Sequence, residues 1–274
     1  MKIICLTEDT LGTSGCEAEH GLCIYIETQN HKILSDCGAT DMFIRNSKKH
    51  KINLESIDTV VLSHGHYDHS GGIMPFSKIN QTAKIYALNT VGGEYYSIRE
   101  NGPTYIGIDK DILNLPQFAA LDGDYKIDNE LSLFSGIHSD KTNSRLKQMK
   151  NGELIDDNFV HEQCLVIHDD GKHVLISGCA HNGIVEILNR YRQIYSSYPD
   201  IVISGFHMIK SSPYTLAEKD DINAVGDILL DTGAIFFTGH CTGENACAIL
   251  KEKMGDKLHI MHSGDVLISD RDLT

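Results

Sequence analysis

The sequence predicts a layered α/β, or α+β, domain. Three observations carry that reading. Short apolar runs rich in β-branched residues recur along the chain, they alternate with helix-spaced segments through the second half, and no Gly/Ser linker, low-complexity tract or short repeat divides them. With 274 residues, 41% hydrophobic and 23% charged, the chain carries enough apolar mass for one sizeable core. One domain spanning 1–274 is therefore expected.

The elements follow in order. Segments 2–7, 22–27 and 32–36 are short β-branched runs punctuated by Gly, Asn and Ser, and each predicts a strand. Residues 41–51 predict a short polar helix or turn. Residues 59–63 are apolar almost without a break, the pattern of a strand buried on both faces. A strand is predicted at 84–88. Residues 89–128 mix Gly102-Pro103, Leu115-Pro116 and several Tyr, and predict a lid or insertion. Residues 131–137 return to strand character, while 138–160 are polar and predict a long loop. Strands are predicted at 164–168, 173–177, 201–204, 234–238 and 258–262. Between them, 183–195 places Ile184, Leu188, Tyr191 and Tyr195 at helical spacing, and 218–231 and 244–254 also predict helices.

Bulk charge narrows the partners. Lys plus Arg number 24 and Asp plus Glu 38, for a net charge of −14. Such a surface repels phosphate backbones at long range, so no nucleic-acid partner is expected and a small-molecule substrate is. A bound metal would invert the charge locally and admit an anionic substrate. The start, MKIICLTEDT, lacks the pattern of a secretory signal, and no apolar run reaches the ~18 residues of a membrane span. The eight cysteines (5, 16, 23, 37, 164, 179, 241 and 247) are scattered and form no CxxC pair. Free thiols in a reducing, cytoplasmic setting are expected. Oligomeric state is not legible.

Chemistry concentrates in Val60-Val61-Leu62-Ser63-His64-Gly65-His66-Tyr67-Asp68-His69-Ser70-Gly71-Gly72. A buried strand runs directly into three histidines and one aspartate. Gly65 lets the backbone bend between the first two imidazoles, and Asp68 and His69 fall at the start of a predicted helix. Imidazole and carboxylate donors suit zinc, iron or manganese, with zinc the leading expectation. One or two divalent cations are expected.

The HxHxDH segment resembles the signature of the metallo-β-lactamase superfamily, and the resemblance covers most of the chain. It implies a four-layer αββα sandwich with metals in a groove at one edge of two sheets. It implies His64 and His66 for one metal, and Asp68 and His69 for a second. His181, ending ISGCAH, and His240, ending FFTGH, are then the expected later ligands, each following an apolar strand. Asp36, in LSDCG, matches the superfamily's first motif and is expected to hold a ligand or a turn. Many hydrolases of the family carry a Gly-Asp step whose carboxylate bridges the metals. Here that step is Gly178-Cys179. Cys179 is either a soft ligand or, the stronger expectation, a packed thiol.

Other positions carry weaker signals. His207, in SGFHM, is a candidate proton shuttle, ligand or substrate contact. His161 and His20 (in AEHG) could face the groove. His31, His50, His168 and His173 are expected to be solvated in polar turns, and Tyr95, Tyr96 and Tyr105 are candidate pocket walls. The motifs AEHG, SGCAHNGI, SGFHM and GHCTGE resemble a subgroup named for 7,8-dihydropterin-6-methyl-4-(β-D-ribofuranosyl)aminobenzene-5′-phosphate synthase. The expected function is metal-dependent hydrolysis of an ester or phosphoester, with water activated at the metal and oriented by Asp68. The alternatives are a pterin-type transferase displacing diphosphate, and a redox or non-catalytic metal-binding protein.

Overall fold

The computed structural model describes residues 1–139, 143–169 and 171–269. The chain begins with β1 (Lys2–Thr7), β2 (Cys23–Glu27), β3 (Lys32–Ser35), β4 (Thr59–Val61), β5 (Lys84–Leu88), β6 (Tyr95–Arg99), β7 (Gly102–Tyr105), β8 (Phe118–Leu121) and β9 (Tyr125–Lys126). It continues with β10 (Leu131–Phe134), β11 (Leu146–Lys150), β12 (Glu153–Asp156), β13 (Cys164–Asp169), β14 (Lys172–Ile176), β15 (Ile201–Ile203), β16 (Ile235–Thr238), β17 (Leu258–Ile260) and β18 (Val266–Ile268). The helices are α1 (Met42–Lys49), α2 (Tyr67–Ser70), α3 (Ile73–Ser77), α4 (Ile184–Tyr195), α5 (Leu216–Asp231) and α6 (Glu244–Met254).

Two seven-stranded sheets run in the orders β18–β1–β2–β3–β4–β5–β8 and β17–β16–β15–β14–β13–β10–β9. Each is part antiparallel and part parallel: β3, β4, β5 and β8 run parallel in the first, and β14 to β17 in the second. Side-chain alternation explains the layering. In β13, Leu165 and Ile167 join the core shared with the first sheet, while Cys164 and Val166 join the core beneath the helices. In β14, Val174 and Ile176 face the first core and Leu175 the second; in β15, Ile201 and Ile203 divide from Val202 in the same way. Strands apolar on both faces must be covered on both faces. Helices α4, α5 and α6 cover one side, with Ile187, Leu188, Leu229 and Leu250 buried against Phe236. Phe43 of α1 and Phe76 of α3 pack on the first sheet. The result is the metallo-β-lactamase fold expected above, an αββα sandwich.

The long loop expected over 138–160 and the solvated turns expected for His31, His168 and His173 are corrected. The polar stretch 138–160 contains the hairpin β11–β12, and within 89–128 lies the hairpin β6–β7; together they form a third sheet, β12–β11–β6–β7. Its strands are polar because one face meets solvent, and the β6–β11 pairing that joins the two hairpins spans some fifty residues, so no local apolar pattern marks the sheet. The remainder of 89–128 returns to the sandwich as β8 and β9. His168 and His173 lie in β13 and β14 as directly opposed partners, with ring centroids 4.6 Å apart, rather than in solvated turns. Among the described residues no helix is long and apolar enough to cross a membrane.

His31 is also more than a solvated turn residue. Its Nδ1 meets Asp58 Oδ1 at 2.8 Å, before β4, and its Nε2 meets Asp128 Oδ2 at 2.6 Å, after β9. The imidazole thus ties one sheet to the edge of the other. Partial burial works against its charge, but the two aspartates outweigh it and raise its pKa above the ordinary 6.5. A raised pKa adds stability that is complete below 6.5 and is lost as pH climbs through the folded value. Urea unfolding of wild type and His31→Gln should therefore differ most near pH 6 and converge at alkaline pH. A difference that stays constant across this range would show that the charge on His31 contributes nothing.

Candidate metal centre

The carboxyl ends of β1, β3, β4, β14, β15 and β16 open on one edge of the sandwich, and the functional side chains follow them. After β4 the chain turns at Ser63, whose N–H and hydroxyl donate to Asp36 Oδ1 and Oδ2, both at 2.7 Å. The Ser63 hydroxyl also meets His64 Nδ1 at 2.9 Å. Gly65 N–H donates to His161 Nδ1 at 2.9 Å, so that ring carries its proton on Nε2 and donates it to Asp157 Oδ2 at 3.1 Å. His66 caps α2, which carries Asp68 and His69. His69 Nδ1 donates to Asp36 Oδ2 at 2.6 Å. Behind this turn, Gly71 and Gly72 lie so close to the carbonyls of Ala39 and Cys37 that any Cβ would collide with them. Bare backbone is what lets the histidine turn press against the Asp36 turn.

The later strand ends supply the rest. After β14 come Cys179 and His181. Glu162, fully enclosed, accepts the His181 N–H at 2.6 Å and the Asn182 N–H at 3.0 Å. After β16, His240 N–H donates to the buried Glu8 at 2.9 Å, and its Nδ1 meets Asp9 Oδ1 at 2.5 Å. The other oxygen of Asp9 takes His20 Nδ1 at 2.8 Å, and the His20 ring stacks on His240 with centroids 5.2 Å apart.

The inward-facing atoms form the centre. His64 Nε2 and His181 Nε2 approach to 3.2 Å, and His69 Nε2 lies 3.2 Å from Cys179 Sγ. Asp68 Oδ2 lies 3.5 Å from His240 Nε2 and 3.7 Å from His69 Nε2. The His66 ring sits 4.6 Å from that of His64 and 4.8 Å from that of His181, centroid to centroid. His66 Nε2, His181 Nδ1 and His240 Nε2 are buried with no hydrogen-bond partner. Asp68, His69, Cys179 and His240 form one group whose donor atoms all lie within 4.8 Å of one another, and His64, Cys179 and His181 form another. In His64, His69 and His240 the outer nitrogen is anchored by a polar neighbour while the inner one faces this space. That is how a metal-ligating imidazole is held. The residues fit a divalent cation.

Electrostatics agree. Burial, reinforced by neighbouring imidazoles, holds His64 and His181 far below the ordinary imidazole pKa and pushes His66 down to about 3. These rings are neutral at physiological pH, with lone pairs available. Burial works against charge on Asp68, yet His69 and His240 keep its carboxyl well below the usual range. Burial also opposes charge on His240, but Asp68 and Asp9 outweigh it and raise its pKa well above 6.5.

Every residue singled out from the sequence as a ligand candidate reaches this edge. His64, His66, Asp68, His69, His181 and His240 converge, with Cys179 among them. Asp36 stands one layer behind. His20, with 57% of its side chain exposed, covers Asp68 and Asp9 at the mouth, its Nε2 3.6 Å from Asp68 Oδ2. The His207 ring lies 4.3 Å from that of His181. His161 is wholly engaged by Gly65 and Asp157 and has no nitrogen to spare. Tyr95 packs on His161 at 4.0 Å, and Phe159 stacks on His181 at 4.5 Å. Tyr96 and Tyr105 pair with each other in the third sheet. Sequence reading missed Glu8, Asp9, Ser63, Asp157, Phe159, Glu162 and Cys241. A hint existed for Glu8 and Asp9, two acids ending a buried strand, as Asp36 does.

Comparison with known proteins places this geometry in context. The family model described as the metallo-beta-lactamase superfamily matches residues 17–240. A Methanocaldococcus jannaschii protein named 7,8-dihydropterin-6-methyl-4-(beta-D-ribofuranosyl)-aminobenzene-5′-phosphate synthase is 27% identical, covering 97% of this chain and 96% of its own. An uncharacterized protein of the same organism is 28% identical over 86% of this chain and 88% of its own. A solved metal-dependent hydrolase of the beta-lactamase superfamily superposes with a TM-score of 0.82 at 28% identity, covering 98% of this chain and 99% of that one.

Asp36→Asn tests the anchoring layer. The substitution puts an amide where one oxygen accepts from both Ser63 and His69, so His69 loses its fixed orientation. Zinc affinity, read by competition with a chromophoric chelator, is expected to fall about 10–100-fold. The half-buried Glu27→Gln, at the opposite end of the β2–β3 pair from Asp36, should leave it unchanged.

Proposed function

The chain belongs to the metallo-beta-lactamase superfamily, and from that premise we propose that it is a metal-dependent hydrolase cleaving an ester or phosphoester of a small molecule. The observation that carries this reading is the set of buried, unpartnered nitrogens of His66, His181 and His240 around a neutral-imidazole, carboxylate and thiol cluster. In this reading His64, His66 and His181 hold one divalent cation, and Asp68, His69 and His240 a second, with Cys179 between them. Zinc suits these donors best, and iron or manganese follow. Such a cation supplies Lewis acidity to the substrate oxygen and lowers the pKa of water.

The remaining work falls to the chain. Asp68, held ionised, accepts a hydrogen bond from the attacking water and orients it. Phe159 and Tyr95 close the side near His181 and His161 against solvent. His207, beside His181, is placed to carry a proton to the leaving group. A cavity of about 740 Å³ adjoins His240 and Asp9, with Ile209, Tyr214 and Met261 among its walls. That size suits a small organic molecule, and the net charge of −14 favours one over nucleic acid.

A second reading has its own support. The relative named as a synthase covers nearly the whole chain, and Cys179 stands where many hydrolases of the family have a carboxylate. In that reading the cations would bind a departing diphosphate and the acceptor would be an arylamine.

The test is to load metal-free protein with zinc, manganese or iron and screen phosphodiesters, phosphomonoesters, esters and lactones. Metal-dependent turnover is expected. It should fall at least about 100-fold in His66→Ala, given the several kcal/mol a metal contributes to such transition states. Turnover of none of these substrates, together with tight binding of a pterin diphosphate, would instead select the transferase.

A further inference from the structure

Cys179 does more than stand in for a bridging carboxylate. Its Sγ, the Sγ of Cys241 and a ring nitrogen of His207 all lie within 4.8 Å of one another. Both thiols are buried, at 2% and 4% exposure, and neither forms a disulfide. Nothing in the proposed hydrolysis uses Cys241, and a cation held here would take His207 out of proton transfer to the leaving group.

The surroundings are built to bring these three groups together. Gly205 N–H donates to Gly178 O at 2.8 Å, which draws the end of β15 against the end of β14. A Cβ at Gly205 would collide with Cys241 Sγ, so glycine is what leaves room for that sulfur. Phe206 N–H donates to Thr242 Oγ1 at 2.9 Å and fixes the third loop beside the other two. The Asn143 side-chain nitrogen donates to His207 Nε2 at 3.2 Å, which leaves the ring proton on Nδ1 until a cation displaces it to Nε2. His207 Nδ1 is buried and has no partner.

We propose that Cys179, Cys241 and His207 form a further metal site, one nitrogen and two sulfurs, that takes a thiophilic divalent cation of the zinc class and shares Cys179 with the histidine centre. The inference builds on the reading of that centre as metal-holding, and it does not depend on which reaction is catalysed. Each thiol gives its proton to solvent as its sulfur bonds the cation, and no electron changes hands. Sulfur donors favour zinc, cobalt or iron(II) over manganese and magnesium.

The experiment uses the full chain, freed of metal and reloaded separately with cobalt(II) and zinc. The cobalt protein should show thiolate-to-cobalt charge transfer in the near ultraviolet. Zinc-edge X-ray absorption should show a sulfur shell at about 2.3 Å beside nitrogen at about 2.0 Å. Cys241→Ala should lose about one equivalent of zinc and about half of the sulfur shell while keeping the nitrogen shell. Cys241→Ser, closer in size, takes its place if the alanine variant does not fold, as judged by circular dichroism. His207→Ala should lose the same equivalent. Zinc content and sulfur shell unchanged by Cys241 replacement would refute the site and leave the histidine centre standing. So would cobalt ligand-field bands without charge transfer. A chain that takes up no metal overturns both readings at once.

Discussion

Unpaired basic nitrogens closed off from water are the constraint on which this structure turns. A buried polar atom without a partner costs about 1–3 kcal/mol, and His66, His181 and His240 each carry one at the same edge of the sandwich. Burial keeps His66 and His181 neutral, while His240, held charged by Asp68 and Asp9, has only the Asp68 carboxylate, at 3.5 Å, before its inner nitrogen. The neighbouring rings are fixed as well. Ser63, Asp36 and Asp9 hold the outer nitrogens of His64, His69 and His240. The fold therefore maintains an arrangement that is unfavourable by itself and that a cation would relieve.

Backbone conformation points to the same place. Asp36, Phe159, Ala180, His207 and His240 all have positive φ between 49° and 59°, a region that side chains with a Cβ seldom adopt. Each lies at or beside the cluster, and each follows a strand end or a tight loop facing it. Lys51, Asn151 and Ser196 share the conformation in ordinary turns or helix ends. Sidechain placement at the centre is thus secured at a cost in backbone strain, which the surrounding hydrogen bonds offset.

What could be read from the sequence was what local pattern encodes. His64 to His69 lie within one turn region after a buried strand, and strands such as β1, β5, β13 and β16 announce themselves by continuous apolar runs. His181 and His240 were found because each ends such a run. The supporting acids were not. Asp9 meets its partner His240 across 231 positions, and Glu162 grips His181 across 19. Nothing near Asp9 or Glu162 in the chain distinguishes a carboxylate that will be buried on a ligand from one left in water. Cys241 was passed over for the same reason, since its relation to Cys179 exists only once β14, β15 and β16 are side by side. The third sheet escaped because its strands are half-exposed, so polarity imitated a loop, and because its two hairpins meet only across a long stretch of chain.

That third sheet is rooted in a small apolar cluster of its own, Tyr95, Ile106, Leu146 and Phe159, separate from the two large cores. Only its roots reach the centre, where Tyr95 and Phe159 lean on His161 and His181. Its hairpin tips, at Glu100–Asn101 and Asn151–Gly152, are exposed to solvent. Exposed tips of this kind are where a fold tolerates insertions best. The molecule thus separates a frame that fixes the ligand positions from a facing built on its own small core, so the two can be altered independently.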